Sequence, residues 1–200
     1  MAVTAVWLVG AVAGLSVLWR FDNAPGAGAN APARWPAGSV LARSSGRPTL
    51  VLLAHPQCSC TLASLEELRE ALARADVQPK TYVLFLKPEG FANGWEQTDS
   101  WRIAANIPDV SVVRDDSGRE ASRFGAATSG QTLLFDADGT LLFSGGITSA
   151  RGHAGDNLGR AELVSLLNRG QSSRARTLDR GPGQPHRDAT SVFGCPLFGI

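Results

Sequence analysis

Residues 49–55 (TLVLLAH) form a short unbroken apolar run, and directly after HPQCS the pattern changes to CTLASLEELREALARA. An apolar run without alternation is that of a strand buried on both faces. In the stretch that follows, Leu62, Leu65, Leu68 and Leu72 recur at helical spacing while Glu66, Glu67, Arg69 and Glu70 fall elsewhere, which predicts an amphipathic helix. A doubly buried strand feeding a helix commits the chain to a layered α/β sheet. The downstream pattern agrees. TYVLFL (81–86) predicts a second buried strand, TDSWRIAANIP a capped helix ended by Pro108, and VSVVRD (110–115) a third strand. DDSG is a turn, REASRFGA a short helix ending near Gly125, and QTLLFD and GTLLFSGG flank turn residues 136–139 as a hairpin. RAELVSLLNRG closes with a helix and a glycine stop. The order β-α-β-α-β-α-β-β-α predicts a mixed sheet, parallel first and ending in a hairpin, with helices on both faces.

The rest of the 200 residues are attachments. Residues 1–19 carry no charged side chain, and a spanning helix needs about 20 mainly apolar residues, so 1–20 is predicted to be a transmembrane signal-anchor. A buried soluble helix would show a polar face, and only Thr4 and Ser16 are polar here. The run is longer than the apolar core of a cleaved signal peptide, although Ala29-Asn30-Ala31 leaves a cleavage site open. Residues 21–47 are rich in Ala, Gly and Pro and lack periodicity, as in a flexible linker. Residues 48–169 form the domain. Residues 170–200 are a Gly/Pro-rich tail whose apolar end, SVFGCPLFGI, is expected to dock on something. Arg20, Arg34, Arg43 and Arg47 follow the apolar run, and the positive-inside rule taken alone would keep the domain in the cytoplasm.

Composition removes several function classes. A net charge of +1 lacks the basic field of a nucleic-acid binder. Three cysteines are too few for a disulfide scaffold or a four-cysteine zinc site. Two of them, Cys58 and Cys60, lie in HPQCSC between the first strand and the first helix. A helix N-terminus favours an anion, so a thiolate is favoured there, and a thiolate is the form that attacks disulfides and binds soft metals. Two residues apart on a helix, side chains point roughly 200° from one another. Cys58 and Cys60 can therefore pair only if Cys58 lies in the non-helical cap, in a small strained ring; otherwise Cys195 is the obvious partner. Three single pairings remain open.

On TLVLLAHPQCSCTLASLEEL, VSVVRDDSGREASRFGA and QTLLFDADGTLLFSGG, the sequence resembles the thioredoxin-like superfamily over residues 48 to about 168. HPQCSC together with GGITSARGHAGDN resembles, more narrowly, the membrane-tethered bacterial RedB-like and peroxiredoxin-type branch. The resemblance implies a membrane-anchored thiol–disulfide oxidoreductase acting on protein thiols or disulfides, without an organic cofactor. It also implies an inner-membrane protein with its domain on the periplasmic side, against the arginine pattern. Cys58 is then the attacking thiolate and Cys60 the resolving thiol, with Cys195 an accessory or alternative resolver and His55 accessory. Cys-x-Cys replaces the family's Cys-x-x-Cys. The cis-proline expected before the hairpin is replaced by Gly130, within Ser129-Gly130-Gln131.

The alternative is a copper-binding assembly factor similar to the Sco type, with Cys58, Cys60 and a distant His153 as ligands. The favoured reading of His153 is a hydrogen-bonded loop residue beside Arg151, Asp156 and Asn157, and His186 lies in a polar tail. DADG at 136–139 lacks the ligands of a calcium loop and fits a turn. Trp95 and Trp101 are expected to pack a core or cover the cysteine motif.

Overall fold

A computed structural model describes residues 2–169 and 190–198. Strands β1 (Thr49–Ala54), β2 (Lys80–Lys87), β3 (Val110–Asp116), β4 (Gln131–Phe135) and β5 (Leu141–Gly145) form one sheet in the order β3-β2-β1-β4-β5. β1 pairs parallel with β2, and β2 with β3, while β4 runs antiparallel to both β1 and β5. β1 and β4, at the centre, are buried at every position. β5 alternates between buried and half-buried residues, as an edge strand with one covered face should. The predicted element order is observed throughout.

Leu50, Leu52, Leu134 and Phe143 pack on one face of the sheet beneath helices α2 (Cys60–Ala73), α3 (Asp99–Ala105) and α5 (Leu158–Asn168). α2 contributes Leu65, Leu68 and Leu72 to that core, whereas Leu62, a member of the predicted stripe, is 44% exposed. The stripe is narrower than predicted: in the first turn of α2 the buried side chains are Cys60, Thr61 and Ala63, and Leu62 points between them to the outside. On the other face, Val51, Leu53, Leu133 and Phe135 are covered by α4 (Arg119–Arg123), which is too short to do so alone.

Of residues 21–47, expected as a flexible linker, Phe21 and Asp22 end α1, and 23–47 complete that second face. Trp35 sets its ring edge-on against Phe124 and Phe135 at 5.1 and 5.2 Å, and Leu41 is 7% exposed. Arg34 bridges Thr140, Ala33 O accepts from Leu141 N at 3.0 Å, and Ala42 O accepts from Tyr82 Oη at 3.0 Å. The segment is ordered by extended-chain hydrogen bonds and two anchors, which need no periodicity. Helix α1 (Ala2–Asp22) stands apart: none of its residues is buried, and it is long and apolar enough to cross a membrane.

Candidate functional site

The carboxyl end of β1 delivers His55 to a tight turn in which Cys58 N donates to His55 O at 3.1 Å. Ser59 is the N-cap of α2 and Cys60 its first helical residue, so Cys58 sits just outside the helix and faces the amides at its start. The turn is fastened from below. Thr61 Oγ1 donates to His55 O at 2.9 Å, and His55 N donates to Ser129 Oγ at 2.9 Å. The hydroxyls of Thr61 and Ser129 lie 3.1 Å apart.

Cys58 and Cys60 are 4% and 6% exposed, and all three cysteines are free thiols. The nearest sulfur partner of Cys58 is contributed by the chain's far end, with Cys58 Sγ and Cys195 Sγ 2.9 Å apart. Burial pushes the Cys58 thiol up. Hydrogen bonds from the Cys195 thiol and amide, then from the Cys60 amide and thiol, outweigh it and hold Cys58 below its ordinary range. Cys195 moves the other way, to about 12, through burial and then the hydrogen bond and charge of Cys58. Cys60 is likewise raised, by burial first and the Cys58 charge second. One thiol of the cluster is thus the favoured anion, and Cys195 is its strongest donor.

Of the accessory residues, His55 acts through its main chain. Its ring Nδ1 accepts from Gln57 N at 3.2 Å, its Nε2 is buried without a partner, and its edge meets Trp95 at 5.7 Å between centroids. Burial lowers its pKa, so the ring is neutral at pH 7. Ser129 touches the motif through His55, and Gly130 follows it. Gly130 has φ +91° and donates its N–H to Leu53 O at 2.8 Å, and no peptide bond among the described residues is cis. A proline there would lose that hydrogen bond and could not take that φ. A Cβ at Gly130 would also lie 2.9 Å from Ser64 Oγ. Gln131 begins β4, and its Nε2 donates to Ser144 Oγ at 3.2 Å, away from the sulfurs.

The copper set is not assembled. His153 is exposed, and its Nδ1 lies 2.7 Å from Arg151 O in a tight turn where residues 150 and 153 bridge. That turn folds the ring onto its own loop. Among the described residues, no group of three or more His, Cys, Asp or Glu side chains could hold a metal ion. His186 lies outside the described residues.

Arg151, read in the sequence only as a partner for His153, is the cation of the site. Its charge favours the thiolates of Cys60 and Cys195, and its Nη1 donates to Gly194 O at 2.5 Å. The loop that carries it is pinned by a buried ion pair: Arg160 Nη1 lies 2.7 Å from Glu67 Oε2, and Glu67 also accepts from Gly155 N and Asn157 Nδ2. No local pattern in the sequence links residue 67 to residues 155–160.

No family model and no curated protein matches the chain. Solved structures do. A hypothetical protein from Sinorhizobium meliloti 1021 is 18% identical, with a TM-score of 0.50 over 87% of this chain and 93% of its own. An uncharacterized conserved protein from Geobacillus kaustophilus is 15% identical, with a TM-score of 0.50 over 87% and 94%. The exposed lipoprotein thioredoxin of Streptococcus pneumoniae is 17% identical, with a TM-score of 0.45 over 62% and 84%. At these identities the likeness concerns the fold alone. With a five-stranded mixed sheet, helices on both faces and a cysteine motif where the first strand meets its helix, the chain has a thioredoxin-like fold.

Proposed function

We propose that the chain is a membrane-anchored thiol–disulfide oxidoreductase of the RedB-like type, with α1 as anchor and the domain on the periplasmic side of an inner membrane. Cys58 is the attacking thiolate. It opens a protein disulfide, carries one half as a mixed disulfide, and is released by a second thiol of the cluster. The observation that carries this reading is the cluster itself: a sulfur at the mouth of α2, favoured as the anion by amide and thiol donors, with another sulfur 2.9 Å away. A buried structural cysteine has no use for such donors. Reactive cysteines are found among them.

The domain boundaries carry one revision, in that residues 23–47 belong to the folded body and the anchor ends near Asp22. The test is turnover of glutathione disulfide or reduction of insulin by the full-length protein in detergent. Wild type is expected to turn over and Cys58→Ser to be inactive while folded. Equal turnover by Cys58→Ser, or none by wild type, overturns the assignment.

A further inference from the structure

The C-terminal segment 190–198 is seated in register across the site. Ser129 N donates to Cys195 O at 2.9 Å and Leu197 N to Ala127 O at 2.8 Å, with an antiparallel bridge between Thr128 and Pro196. Further along, Gly26 N donates to Val192 O at 2.8 Å, and Thr190 Oγ1 donates to Gly146 O at 2.7 Å. Val192 and Leu197 are 4% and 1% exposed. The seat is shaped for a close backbone. A Cβ on Gly146 would come 2.4 Å from Ser191 O, and one on Gly194 would come 2.0 Å from Ser129 O. Glycine alone permits both approaches.

We propose that Cys195, delivered by this segment, is the resolving thiol of Cys58, so that the redox couple joins the body to the chain's end instead of closing within Cys-x-Cys. The proposal rests on the oxidoreductase reading of Cys58. Cys60, the first residue of α2, also donates to Cys58, but the hydrogen bonds from Cys195 are the larger ones, and the Cys195 sulfur lies 2.9 Å from that of Cys58.

The steps balance as follows. The Cys58 thiolate attacks one sulfur of a protein disulfide; a Cys58–substrate bond forms, the substrate's S–S bond breaks, and the leaving thiolate takes a proton from water. Cys195 then gives its proton to water and attacks Cys58. The Cys58–Cys195 bond forms, the mixed disulfide breaks, and the second substrate thiolate leaves and is protonated. Two electrons pass from the protein's two thiols to the substrate, and a dithiol reductant restores them. The order is built in. While Cys58 is an anion, its hydrogen bond and charge add to burial in holding the proton on Cys195; once Cys58 is in a disulfide both are removed, leaving burial opposed by the charge of Arg151.

The full-length reduced protein, in detergent, is mixed with glutathione disulfide, quenched in acid, alkylated and mapped by peptide mass. Wild type and Cys60→Ser are both expected to yield a linked Cys58–Cys195 peptide. Cys195→Ser is expected to stop at a Cys58–glutathione mixed disulfide. A Cys58–Cys60 bond in wild type, with Cys195→Ser resolving normally, overturns the role of Cys195 and leaves the oxidoreductase intact. Cys58 unmodified in every variant overturns the oxidoreductase reading itself.

Discussion

Cys58, His55 and Gly130 divide the local chemistry among them. Cys58 is the thiol most readily ionised, His55 O accepts within the turn, and Gly130 lets the facing loop approach without a side chain. The His55 ring is buried and neutral, and this has a pH consequence. In the unfolded chain the ring takes up a proton near pH ~6.5, whereas burial lowers that pKa in the fold. The unfolded state therefore binds more protons on acidification, and stability falls as pH drops below the unfolded value. In denaturant melts from neutral to mildly acid pH, wild type is expected to lose stability relative to His55→Phe as pH falls. Parallel curves would mean that the ring is hydrated in the fold. Cys58 and Cys60 were legible as a site because motif and junction coincide within a few residues. The Cys58–Cys195 contact spans 137 positions, and nothing in the sequence chose among three pairings. Gly130 was legible as a departure from the expected proline, but its reason, the bond to Leu53 O at positive φ, needs the folded backbone.

At the scale of elements, the junction of β1 with α2 is rigid and the covering segment is the separable part. β1 lies between two paired neighbours, whereas segment 190–198 is held by one isolated bridge, scattered hydrogen bonds and two apolar anchors. Gly146→Val should unseat it, since the new Cβ meets Ser191 O and Val192 Cα at 2.4 and 2.8 Å. Two effects are expected together. Alkylation of Cys58 at high pH, where the sulfur is ionised regardless, should quicken because its cover is gone. The pKa of Cys58 should rise because the Cys195 donors are withdrawn. Alkylation rates followed against pH separate the two, and an unchanged profile would show that the segment seats elsewhere. Strands and helices with strong periodicity were read within a residue or two. Residues 23–47 were not, because Trp35 and Leu41 anchor a chain that is extended and proline-rich, and such a chain carries no repeat to detect.

For the whole molecule, the division between α1 and the folded body falls near Asp22. No residue of α1 is buried, while Trp35 and Leu41 serve the second core. A chain begun at residue 23 is expected to be recovered without detergent and to melt cooperatively. One begun at residue 48 is expected to be destabilised by roughly 2–5 kcal/mol, the scale of emptying one large core side chain. Thermal melts of the two truncations check this, and equal stability would return 23–47 to the role of tether. The end of α1 also touches the site loop. Arg151 N donates to Asp22 O at 2.9 Å, and its guanidinium lies 4.9 Å from the Phe21 ring centroid. Under the proposed function, α1 in a bilayer brings the thiols close to the membrane surface. The proposed chemistry depends on Cys58 being ionised. The direct measurement is the pH midpoint for alkylation of Cys58 in the reduced full-length protein, mapped separately from Cys60 and Cys195. A midpoint below the 9.0 of an ordinary thiol is expected, with Cys195 unreactive until far more alkaline pH; a Cys58 midpoint at or above 9.0 would contradict it.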